Sequence, residues 1–229
     1  MSAAIRGISS MATRQVLGEL AAAYEQRAGC PVQIESVGGV DAPRRVQAGE
    51  PFDLVVLASD AIDKLAASGF VAAGSKVDLV RSPVAVAVRA GAARPDIATE
   101  DALRHAVQSA ASIGYSTGPS GVALTRLFER WGIAGEIRQR LVQAPPGVAV
   151  GTLVAKGEVA LGFQQLSELL HLEGITIVGP LPDAVQIITT FSGALCAGSS
   201  RAEDVHHMLS FMALPEVAAA KRGHGMEPA

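Results

Sequence analysis

Gln47-Ala48-Gly49-Glu50-Pro51-Phe52-Asp53-Leu54-Val55-Val56-Leu57-Ala58-Ser59-Asp60 is the stretch that decides how this chain folds. Gly49 and Pro51 punctuate a turn. Phe52–Leu57 is then strongly apolar, the pattern of a strand inside a sheet flanked by helices. Ala58-Ser59-Asp60 turns directly into a helix over Ala61–Ala67, and Gly69 closes it.

The same strand-to-helix step recurs on both sides. Ile5–Ile8 reads as a strand, followed by Ser9-Ser10 and a helix over Thr13–Arg27 with Val16, Leu17, Leu20, Ala23 and Tyr24 at helical spacing. Gly29 stops it. Val32–Val37 is a second strand ending in Gly38-Gly39, and Asp41–Ala48 a short helix with Asp41 near its cap. Val77–Val88 is extended and broken by Pro83. Beyond it come a helix (Ala102–Ser109), a strand (Ser112–Tyr115), the loop Ser116-Thr117-Gly118-Pro119-Ser120-Gly121 and a helix (Val122–Trp131). A strand at Arg140–Gln143, a helix at Val150–Lys156 and strands at Val159–Phe163, Ile175–Val178 and Gln186–Ala194 follow. Ala202–Phe211 and Pro215–Lys221 are helical.

Such alternation predicts an α/β fold of parallel sheets and covering helices. The pattern restarts after Pro83, so the expectation is two Rossmann-like lobes. Residues 1–82 and 189–229 form one lobe and 83–188 the other. Val77–Val88 and Gln186–Ala194 are the crossings, with a hinged, ligand-holding cleft.

Composition narrows the function. The 229 residues are 49% hydrophobic and 18% charged, which marks a globular chain. Aromatics are 4%, so the core must come from Ala, Val, Leu and Ile. A net charge of −3 with no basic stripe argues against nucleic-acid binding. No apolar run approaches the ~20 residues of a membrane span, so no membrane insertion is expected. Met1-Ser2-Ala3-Ala4-Ile5-Arg6-Gly7 has no apolar signal region, which reads as cytoplasmic, or periplasmic if a signal peptide has been removed. Cys30 and Cys196 read as small buried hydrophobes, with pairing left open. The five histidines are expected at the surface, and neither a metal site nor a cofactor is expected. Walker, dinucleotide and nucleophile-elbow motifs are absent.

The chemistry sits at the strand ends. Ser9-Ser10, Gly38-Gly39, Ala58-Ser59 and Ser116 through Gly121 all precede helices. The carboxyl ends of strands and the following helix N-termini form the ligand crevice of α/β sheets and favour anions. Pro119 suits a first helical turn, leaving the Ser120, Gly121 and Val122 amides to point outward. The candidate ligand-binding set is therefore Ser9, Ser10, Gly38, Gly39, Ala58, Ser59, Ser116, Thr117, Ser120, Gly121, Val122, Val148, Gln164 and Gln165. Arg44 and Arg81 are the arginines best placed to meet a carboxylate.

The chain resembles the molybdate-binding branch of the periplasmic solute-binding proteins. The resemblance rests on Leu17-Gly18-Glu19-Leu20-Ala21-Ala22-Ala23-Tyr24-Glu25 and on the stretch quoted at the outset, and it covers nearly the whole chain. It implies the hinged, two-lobed fold of the periplasmic-binding-protein type II class and a receptor delivering an oxyanion to an ABC transporter permease, with Ser10 as the first serine ligand. Two places depart from the pattern. Val37-Gly38-Gly39-Val40-Asp41 replaces a serine-rich loop, and Gly162-Phe163-Gln164-Gln165-Leu166 stands where a tyrosine is expected. Both departures favour an organic di- or tricarboxylate over molybdate as the small anionic ligand. The same branch is similar to aconitate isomerase, so a cofactor-free isomerase is the alternative. Asp41 and Tyr115, with Asp60, are its candidate acid–base groups.

Overall fold

A computed structural model describes residues 3–229. Met1 and Ser2, the start of the segment read for a signal peptide, lie outside the described residues. The chain divides into two compact units: the stretch up to Ser82 with Thr189–Ala229, and Pro83–Ile188.

The first unit contains β1 (Ile5–Ser10), α1 (Arg14–Ala28), β2 (Val32–Val37), α2 (Asp41–Gln47), β3 (Leu54–Ala58), α3 (Ser59–Ala67) and the first half of β4 (Val77–Arg89). The second half of β4 opens the second unit. There follow α4 (Glu100–Ser109), β5 (Ile113–Tyr115), α5 (Pro119–Arg130), α6 (Ala134–Ile137), β6 (Leu141–Gln143), α7 (Val150–Lys156), β7 (Leu161–Gln165), α8 (Leu166–Leu169) and β8 (Ile175–Pro180). β9 (Ile188–Leu195), α9 (Ala202–Ala213), α10 (Ala218–Gly223) and β10 (Glu227–Pro228) complete the first unit.

Strand order in the first unit is β2-β1-β3-β9-β4, with β10 paired to β4. β1 runs parallel to both β2 and β3, whereas β9 is antiparallel to β3. In the second unit the order is β4-β7-β5-β6, with β5, β6 and β7 mutually parallel and β4 antiparallel to β7 and β8. The sheets are thus mixed and not parallel throughout: β9 runs against β3 in the first unit, and β4 runs against β7 and β8 in the second.

Pro83 does not break β4. The register with β10 ends at Arg81 and that with β7 begins at Val84, on either side of the proline. Other boundaries move modestly. β1 runs on to Ser10, β7 reaches Gln165, and α5 begins at Pro119 rather than Val122. Four histidines are exposed; His224 is half-buried against Glu19 at 2.8 Å. Cys30 and Cys196 are free buried thiols.

The cores lie on the faces of the sheets. Val16, Leu17, Leu20 and Tyr24 of α1 pack with Met208, Leu209 and Met212 of α9 on one face of the first unit. Phe52, Ile62, Leu65 and Val71 cover the other. In the second unit Phe128 and Phe163 meet edge to face at 6.2 Å, each contributing about 2–3 kcal/mol by burial. Gly193 exists for close packing, since a Cβ there would lie 2.3 Å from Leu209.

One charge is enclosed in the first unit. Lys221 is 1% exposed, and its Nζ donates to Leu79 O at 2.8 Å. Burial holds this ammonium below its ordinary pKa of 10.5. The unfolded chain therefore binds more protons than the folded chain from that lowered value up to 10.5, and stability rises with pH through the window. Lys221→Met should stabilise the protein at pH 7 by about 1 kcal/mol. In thermal melts across pH, that gain should shrink toward pH 10.5. A Met variant that melts lower at pH 7 would show that the bond to Leu79 outweighs desolvation.

Candidate functional site

In the first unit, parallel pairing brings three strand ends to one edge. Ser9 lies opposite Ser36 and Val56, and Ser10 opposite Val37. The edge therefore carries Ser9, Ser10, Gly38, Gly39, Ala58 and Ser59 together. Ser9 is fully buried, and its hydroxyl shares a hydrogen bond with that of Ser36 at 2.8 Å. Ser10 is 7% exposed, and its Oγ has no hydrogen-bond partner. A buried hydroxyl with nothing to bond is costly, and a ligand would satisfy it.

Gly38 and Gly39 are half-buried. Gly38 O accepts from the N–H groups of Asp41 (2.9 Å) and Ala42 (3.2 Å) and so starts α2. A Cβ on Gly39 would meet nothing within 4 Å. No backbone constraint requires glycine there, and the space beside it is open. Val40, the next residue, is 50% exposed. Ala58 is buried as the cap of α3, and Ser59 is its half-buried first residue. Asp41 is not free to act alone, because Arg44 forms an ion pair with it. Asp60 is exposed and faces Lys64 at 3.4 Å. Arg81 is engaged as well, its Nε donating to Pro228 O at 3.2 Å.

In the second unit, β5, β6 and β7 likewise end at one edge. Ser116, Thr117, Ser120, Gly121 and Val122 follow β5, Val148 follows β6, and Gln164 and Gln165 finish β7. The hydroxyls of Ser116 and Ser120 are 3.2 Å apart. Gly121 is forced: a Cβ there would fall 1.8 Å from Ser116 O. The expectation of three outward amides is corrected. The N–H groups of Gly121 and Val122 both donate to Gly118 O, at 3.0 and 3.2 Å. Pro119 has no N–H, so the Ser120 amide is the one left by this turn. The Val148 N–H also turns inward, to Pro145 O at 3.0 Å. Tyr115 is half-buried against the second unit's core, and its carbonyl accepts from Ala144 N–H at 2.9 Å.

Gln164 and Gln165 are buried in β7. Gln164 Oε1 accepts from Gly151 N–H in the first turn of α7 at 3.2 Å, and its Nε2 donates to Glu168 Oε1 at 2.9 Å. Burial pushes the Glu168 carboxyl up to about 7, against the lowering effect of the bond from Gln164. Sequence reading passed over Glu168. Its available signal was a carboxylate four residues after Gln164, one turn into the helix that follows a site strand. Among the described residues no cluster of His, Cys, Asp and Glu is arranged to hold a metal, and no helix is long and apolar enough to cross a membrane.

Comparisons with known proteins agree with this architecture. Residues 5–227 match the family described as bacterial extracellular solute-binding protein. A Pseudomonas sp protein named aconitate isomerase is 39% identical over 229 residues, covering 96% of this chain and 86% of that one. Among solved structures, the Azotobacter vinelandii periplasmic molybdate-binding protein superposes with TM-score 0.79 at 20% identity, covering 97% of this chain and 98% of that one. A periplasmic thiamin binding protein gives TM-score 0.79 at 16% identity, covering 100% of this chain and 84% of its own. The fold is thus the two-lobed, type II periplasmic-binding α/β fold, and the chain belongs to the bacterial extracellular solute-binding protein family.

Proposed function

We propose that this chain binds a small organic di- or tricarboxylate, with its ligand groups among Ser10, Gly39, Ser59, Ser116, Thr117, Ser120 and Gln165. The observation that carries the reading is the buried Ser10 hydroxyl, which has no partner within the protein. Charged acceptors are the strongest partners for such a donor. Open space beside Gly39 suits a molecule longer than a tetrahedral oxyanion. A molybdate receptor would want hydroxyls where Gly38 and Gly39 stand. As a receptor, the protein would work in the periplasm and hand its ligand to an ABC transporter permease.

A second reading is a cofactor-free isomerase of a small polycarboxylate. The 39% identity with the protein named aconitate isomerase favours it. Either reading requires the carboxylate to bind. In a thermal-shift screen, a di- or tricarboxylate should raise the melting temperature more than molybdate, tungstate or sulfate. At a hundredfold excess over Kd, binding to the native state adds about 2.7 kcal/mol, which is several degrees for a domain of this size. Stabilisation by molybdate at micromolar concentration, with the carboxylates inert, would overturn the proposal.

A further inference from the structure

We infer that Glu168 is the proton-carrying group of an isomerase acting on an unsaturated tricarboxylate; the inference rests on the second reading above. Topology places Glu168 at the right edge. It follows β7 by three residues, at the end of the parallel trio where β5 delivers Ser116 and Ser120 and β6 leads to Val148. Gln164 fixes it. That amide is 2% exposed and bonded at both ends, to Gly151 N–H and to Glu168 Oε1, so one carboxyl oxygen is held by a rigid strand. The other oxygen, Oε2, has no hydrogen bond or ion pair among the described residues and is not sealed from solvent. A carboxyl anchored by one oxygen and open at the other can take a proton from a bound molecule and return it.

Its surroundings suit that task. β7 carries no charged residue, α8 none besides Glu168, α7 only Lys156 in its last turn, and the second-unit half of β4 only Arg89 at its end. His171 and Glu173 follow α8 in the chain. Among the described residues no cation pairs with Glu168, and burial raises its carboxyl to about 7, where a group can both accept and donate. The alternatives are weaker: Asp41 is tied to Arg44, and Tyr115 packs into the core.

The step balances without a cofactor. Ionised Glu168 removes a proton from the methylene beside the double bond. The C–H electron pair forms the new C=C bond, while the old π pair shifts toward the far carbon and its carboxylate. Protonated Glu168 then delivers the proton to the far carbon, which moves the double bond by one position and regenerates the carboxylate. The Ser120 N–H and the paired hydroxyls of Ser116 and Ser120 are the donors at this edge for a substrate carboxylate as negative charge spreads onto it.

The test follows trans-aconitate by proton NMR in deuterated buffer. Wild type should exchange the methylene protons and migrate the double bond. Its rate should rise through one ionisation near neutral pH. Glu168→Gln should bind the same compound within threefold by calorimetry while its rate falls at least a hundredfold and the pH limb disappears. A variant that exchanges at the wild-type rate overturns the proposal. A wild-type rate flat from about pH 5.5 to 8.5 overturns it too, whether or not the variant folds. Wild type that binds trans-aconitate without any exchange overturns it while leaving the carboxylate-binding reading intact. Absence of binding removes both.

Discussion

Gly121→Ala should lower the melting temperature by about 5–10 °C and abolish ligand binding. The added Cβ would lie 1.8 Å from Ser116 O and 2.9 Å from Ser116 C. Both obstacles are backbone, so no side-chain rotation relieves the clash. The loop from Ser116 must move, and with it goes the hydroxyl pair between Ser116 and Ser120. Overpacking of this kind costs about 1–3 kcal/mol, and a clash with main chain lies at the upper end. Gly39→Ala is the control, because a Cβ there meets nothing within 4 Å. It should melt within about a degree of wild type. A Gly121→Ala protein with unchanged melting and affinity would mean that the loop geometry is not what the site needs.

Ser10→Ala should move stability and binding in opposite directions. The buried Ser10 Oγ has no partner, so its removal relieves about 1–3 kcal/mol of unsatisfied desolvation in the ligand-free protein. The ligand-free variant should melt higher than wild type. Its affinity for the carboxylate should fall about tenfold to a hundredfold, the worth of a hydrogen bond to a charged group. Ser9→Ala should behave differently: Ser9 already bonds Ser36, so its loss lowers stability. Melting curves with and without ligand separate the two serines. If Ser10→Ala melts lower without ligand, the hydroxyl has a structural task and is not waiting for an anion.

Much of this was legible from short-range pattern. The apolar run at Phe52–Leu57, the stop at Gly29 and the helix at Val150–Lys156 are local signals, and the strands and helices formed where those signals stand. The antiparallel course of β4 and β9 was not legible, because strand direction depends on pairing between segments far apart in sequence. β3 and β9, for example, pair Leu54 with Leu195. Site residues at strand ends could be named because a parallel sheet delivers them to one edge. Their hydrogen-bond partners could not. The turn of Gly121 and Val122 back to Gly118, the capture of Asp41 by Arg44 and the hold of Gln164 on Glu168 are three-dimensional facts. Pattern reading favoured hydroxyls and glycines at strand ends and so passed over a carboxyl one turn into a short helix.

Calorimetric titration of the wild-type protein, with an unsaturated or saturated tricarboxylate in one series and molybdate in the other, tests the carboxylate-binding reading most directly. The expected result is saturable binding of a tricarboxylate at one site per chain, at least tenfold tighter than any binding of molybdate. Tight molybdate binding with no heat from any carboxylate would contradict it.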